Sequence, residues 1–161
     1  MTKYIQKGFT LIELIIVMVL FITIAAFVTT NLMEAQHHAS ISTTLTTLVA
    51  DIKNQQSQAM TGDNSQGSSP NYYGIHFSTN SYTLFSGSSY NPSDPNNQSI
   101  YLEPDFQFSN ITFTSGNLIF IPTNGEVSGY SNLANSITLQ DTTGGQQKVL
   151  QVNYLGVITS D

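Results

Sequence analysis

KGFTLIELIIVMVLFITIAAFV, residues 7–28, is the stretch that decides the fold. From Phe9 to Val28 it carries one charge, Glu13, and at ~1.5 Å rise per residue a helix of twenty residues spans ~30 Å, the hydrocarbon thickness of a bilayer. The run therefore predicts a membrane-inserted helix. Lys3 and Lys7 precede it and the next cation is Lys53, so the positive-inside bias leaves the N-terminus cytoplasmic and places the polar remainder outside the cytoplasm. A carboxylate in hydrocarbon costs on the order of a few kcal/mol unless it is paired. Glu13 needs a partner.

An ordinary secretory signal, with Lys3 and Lys7 as its basic region and cleavage after Ala25, accounts for the same stretch less well. Glu13 interrupts what would be the apolar region, and that region exceeds the ~7–15 residues such signals use. The pattern Gly8, Phe9, Thr10, Leu11, Ile12, Glu13 instead resembles the class III leader of type IV pilins and type II secretion pseudopilins. The resemblance implies that a prepilin peptidase on the cytoplasmic side cuts between Gly8 and Phe9 and methylates the new Phe9 amine. It also supplies the missing partner: Glu13 meets the N-terminal amine of a neighbouring subunit during filament assembly.

Downstream of the apolar run there is no Gly before Gly62 and no Pro before Pro70, so one helix is expected from Phe9 to about Met60. Thr29, Thr30 and Asn31 stand where a kinking proline would, and a sharp bend is not expected. In the second half Ile41, Leu45, Leu48, Ile52 and Ala59 recur at steps of four and three with Gln55 filling one slot, which predicts a face packed on a core. The breaker-rich segment 61–71 ends the helix. Period-two pairs follow: Ile75 and Phe77, Tyr82 and Leu84, Ile100 and Leu102, Phe106 and Phe108, Ile111 and Phe113, Leu118 and Phe120. Ile137 and Leu139 form a hairpin with Leu150, Val152 and Tyr154 through DTTGG at 141–145. The sequence predicts an antiparallel β-sheet whose apolar side the 41–59 stripe covers.

Two stretches of this region, LIFIPTNGEVSG at 118–129 and VLQVNYLGVIT at 149–159, are similar to minor pseudopilins and minor pilins of the GspH/FimT type. Phe120 to Gly125 carries one residue more than that family's usual spacing. Some members that take up DNA have Arg after the final Gly, whereas here Val157, Ile158 and Thr159 follow Gly156, so that role does not carry over.

Charge and composition narrow the function further. Only 9% of residues are charged and the formal net charge is -6; with cations limited to Lys3, Lys7, Lys53 and Lys148, nucleic acid is not an expected partner. The absence of Cys excludes disulfides and thiolate metal sites. No catalytic motif is present, and no cofactor, metal or enzymatic activity is expected. His37 and His38 are adjacent, about 100° apart on a helix, and read as solvated side chains; His76 reads as a sheet-surface residue. Asp94, Glu103, Asp105 and Asp141 offer oxygens for calcium but lack the spacing of a known loop, and read as turn residues.

The resulting expectation is an α+β pilin fold: a leader at 1–8, a transmembrane and filament-core segment at 9–30, an amphipathic helix half at 31–60 and an antiparallel β domain at 61–161. The implied function is that of a minor pilin or pseudopilin subunit of a type IV pilus or type II secretion pseudopilus. It is stored single-pass in the cytoplasmic (inner) membrane with its N-terminus inside, then moved into an extracytoplasmic filament. Its partners are prepilin peptidase, other pilin or pseudopilin subunits and the membrane. A pilus-associated adhesin or a DNA-uptake pilin is the alternative.

Overall fold

The computed structural model describes residues 10–62 and 71–161, the side chains of 27–39 excepted. One helix, α1 (Leu11–Thr61), precedes eight strands: β1 (Tyr73–Ser78), β2 (Ser81–Ser86), β3 (Gln98–Tyr101), β4 (Phe106–Ser109), β5 (Asn117–Phe120), β6 (Ser136–Asp141), β7 (Gln147–Val152) and β8 (Ile158–Ser160). The chain falls into two compact units, Met1–Gln36 and His37–Asp161.

In the first unit the side chains from Leu11 to Ala26 are all exposed, Leu11 at 78% and Phe21 at 71%. The expectation of a membrane-crossing helix at 9–30 is not supported at this level. Among the described residues no helix is long and apolar enough to cross a membrane. The helix stops where the glycine-free sequence ends: the Gly62 N–H bonds the Gln58 carbonyl at 2.8 Å and closes the last turn.

The second unit is built on the stripe. Ile41, Leu45, Leu48, Ile52, Gln55 and Ala59 are all buried, and the apolar five join one core with side chains from both of two four-stranded sheets. The sheet orders are β3-β2-β1-β5 and β4-β6-β7-β8, and every pairing is antiparallel. Register carries the period-two residues into opposition: Ile75 faces Leu84 and Leu118, Phe77 faces Tyr82, Phe108 faces Leu139, and Ile137 faces Leu150. Such pairs are the unit of sheet stabilisation. Phe77 then joins the two sheets, with its ring 5.5 Å from both Phe108 and Phe113.

The structure departs from the sequence reading at several points, among them Tyr154 and Leu102, which lie just beyond the ends of β7 and β3 rather than within them. The strands form two sheets rather than one, because β5 pairs with β1, distant in sequence, while β4 pairs with β6. Ile111 and Phe113 are not a strand. Asn110 takes a φ of 48°, a left-handed turn that asparagine tolerates, and the chain leaves β4 there, with Phe113 still buried. His76, read as a sheet-surface residue, is covered: Tyr90 of the loop between β2 and β3 stacks on it at 4.0 Å and packs 5.4 Å from Phe85. His76, half-buried and bonded through Nδ1 to Asn117 Oδ1 at 2.7 Å, lies under this loop.

One polar contact ties the helix to the first sheet: the Tyr82 hydroxyl donates to Asp51 Oδ2 at 2.6 Å. Burial first, then the Asp51 carboxylate, push the Tyr82 hydroxyl well above its ordinary value of 10.0. A raised value favours the protonated form in the folded chain, so the stability this provides is complete below pH 10.0 and is lost with rising pH above it. Tyr82→Phe is expected to flatten the alkaline limb of a melting temperature versus pH curve. An unchanged limb would refute the assignment.

Candidate functional site

Of the residues singled out by the sequence, Glu13 lies at the N-terminal end of α1. Gly8 and Phe9 fall outside the described residues. Glu13 is exposed, in the first turn of the helix. Thr10, immediately before the helix, accepts from the Glu13 N–H through Oγ1 at 3.3 Å. Glu13 Oε2 in turn accepts from the Thr10 N–H at 3.4 Å. This is a reciprocal capping box, Thr-x-x-Glu, which satisfies two of the donors that a helix start leaves open. The carboxylate also sits at the positive end of the helix dipole. Thus Glu13 has a local partner, one the sequence reading passed over although the spacing of Thr10 and Glu13 carries the signature.

At the other end of the helix, the two stretches 118–129 and 149–159 come together on one side chain. Gln56 Nε2 donates to the Gly125 carbonyl and to the Leu155 carbonyl, each at 2.9 Å. Both turns approach too closely for a side chain. A Cβ on Gly125 (φ 68°) would lie 2.7 Å from Met60 Cγ, and one on Gly156 (φ 75°) would overlap the Gln56 amide nitrogen. The turns are also joined directly. The Tyr154 hydroxyl donates to Glu126 Oε2 at 2.6 Å, and this hydrogen bond is the main reason the hydroxyl titrates above its ordinary value. Beside the clamp runs an open groove of about 560 Å³ lined by Lys53, Met60, Leu155 and Val157. Gln56 sits off the apolar stripe, so periodicity gave no sign of it.

The acids considered for calcium do other work. Asp141 Oδ1 accepts from the Thr143 and Gly144 N–H groups at 2.8 Å, Asp105 Oδ1 accepts from Thr143 Oγ1, Glu103 Oε2 accepts from Ser40 Oγ, and Asp94 Oδ1 closes its own loop onto the Asn96 N–H. Among the described residues, no group of three or more His, Cys, Asp or Glu is placed to hold a metal ion. The side chains of His37 and His38 lie outside the description.

Residues 4–29, which include Gly8, Phe9 and Glu13, match the family model of the prokaryotic N-terminal methylation motif. The match indicates a type IV pilin-like prepilin leader. It implies processing by prepilin peptidase and assembly with other pilins. No curated protein and no solved structure shows significant similarity to the chain.

Proposed function

We propose that the chain is a minor pilin or pseudopilin, cut between Gly8 and Phe9, methylated on Phe9 and assembled through α1 into a type IV pilus or type II secretion pseudopilus. The observation that carries this reading is the methylation-motif match at residues 4–29. The exposed apolar side chains from Leu11 to Ile24 support it. A face that apolar is stable only against lipid or other helices. In this reading the full run 9–28 spans the cytoplasmic membrane with the N-terminus inside, and the same surface later packs in the filament. The GspH/FimT likeness of residues 118–129 and 149–159 favours a minor subunit, and the clamp on Gln56 gives both stretches a common structural purpose. The scarcity of cations argues against a nucleic-acid partner, and the turn-closing roles of the acids argue for a structural rather than an enzymatic domain.

N-terminal sequencing and intact mass of the protein from its native host test the proposal. The expected mature chain begins at methylated Phe9. A chain beginning at Ala26, or one that retains Met1, overturns it.

A further inference from the structure

Gln55 interrupts an otherwise apolar stripe between Ile52 and Ala59, both 0% exposed. It is itself only 5% exposed, and among the described residues its Oε1 is buried without a hydrogen-bond partner. A carboxamide in that position destabilises the fold relative to an aliphatic side chain of similar size. Gln55 lines a cavity of about 300 Å³ between α1 and the first sheet, at the lower end of the ~300–1,000 Å³ typical of small-molecule sites.

Carboxamides make up most of the lining. Asn54, Gln58, Asn96 and Gln98 contribute further carboxamides, Tyr73 and Phe85 aromatic rings and Leu84 an aliphatic side chain, while among the described residues no lining side chain is charged. Each carboxamide offers two donors and an acceptor, and a half-turn exchanges them. That is the complement of hydroxyls, which donate and accept at once. An ionic ligand would enter without a counter-charge. On the side of β2 that faces the cavity there is little room for an added peptide strand, since β3 pairs with β2 as far as Leu84, opposite Gln98, and Phe85 and Ser86 are the residues of β2 beyond that point. The loop carrying Asn96 is fixed by its own bonds, Asn96 N–H to Asp94 Oδ1 at 2.9 Å and Asn97 Nδ2 to the Asn91 carbonyl at 2.7 Å. One wall of the cavity is therefore preorganised.

We propose that this cavity binds a neutral saccharide unit, held through its hydroxyls by the carboxamides of the lining, Gln55 among them. The proposal is independent of how the chain is processed or assembled. The test uses the full chain in micelles of a detergent without a sugar headgroup. The probes are glucose, galactose, mannose, N-acetylglucosamine and N-acetylgalactosamine, with N-acetylneuraminic acid as a charged control, read by saturation-transfer NMR. A ligand of one ring binds in about the millimolar range. At least one neutral sugar is expected to bind, and Gln55→Leu to weaken it at least tenfold while leaving the melting temperature unchanged or higher. Gln98→Ala, at an exposed position on the rim, is expected to weaken the same sugar without loss of fold. The proposal fails if no neutral sugar in the panel binds, if Gln55→Leu binds like the parent, or if only the charged control binds. A melting temperature clearly lowered by Gln55→Leu would also overturn it, since the amide would then be serving the fold.

Discussion

Glu13→Leu is expected to leave the chain in the membrane and processed, yet to reduce its recovery with sheared filaments by about tenfold or more. Removing a carboxylate from an apolar run makes insertion easier, so membrane level is not expected to fall. What is lost in the proposed filament is a pairing with the Phe9 amine of a neighbouring subunit. Stripping one partner from a desolvated ion pair costs about 3–5 kcal/mol. The capping box adds a second arm to the experiment. Glu13→Gln keeps a residue that closes the box with Thr10 but carries no charge, so it separates the helix cap from the ion pair. If charge is what assembly reads, Gln and Leu variants are lost alike at equal membrane levels. Recovery of Glu13→Gln at the parent level would assign Glu13 to the helix start alone.

The second large effect is expected at the clamp. Gly156→Ala forces a Cβ into a left-handed backbone, which costs on the order of 1 kcal/mol. It also drives the Gln56 amide from the two carbonyls it holds, each bond worth about 0.5–1.5 kcal/mol. The total, about 2–4 kcal/mol, corresponds to a melting temperature lower by roughly 5–15 °C for a domain of this size. Thermal unfolding of the full chain in micelles measures it. In the Gly156→Ala background, Gln56→Ala should cost much less than it does alone, because the clash and the bonds share one partner. A melting temperature within a degree of the parent would remove the clamp from the account of this fold.

What the sequence made legible was whatever repeats. The stripe from Ile41 to Ala59 and the hairpin of Ile137 with Leu150 follow from steps of four, three and two, and each found its core side. Pairing between distant strands does not repeat: nothing in Leu118 or Phe120 says that β5 lies beside β1. Single residues off the pattern were equally hidden. Gln56 reads as one more polar helix position, and Tyr90 as one more loop residue, until the backbone brings carbonyls to the first and His76 beneath the second. Of the proposed processing region, Glu13 stood out because a charge in an apolar run is costly, and Gly8 and Phe9 through the resemblance of the surrounding pattern to a prepilin leader. Thr10 did not, although Thr-x-x-Glu ahead of an apolar run is a capping signature, because the charge of Glu13 drew the weight.

The Gln56 clamp also imposes an order of events. Its two carbonyls lie 69 and 99 residues further along the chain, so a chain emerging N-terminus first presents α1 long before either turn exists. During that interval the stripe from Ile41 to Ala59 has no sheet to cover it, and uncovered apolar surface of this kind invites misassembly. Because these contacts close over such long separations, the search for them is slow compared with helix formation. The helix is made first, and its Gln56 bond to the Leu155 carbonyl waits for the turn at Leu155 and Gly156.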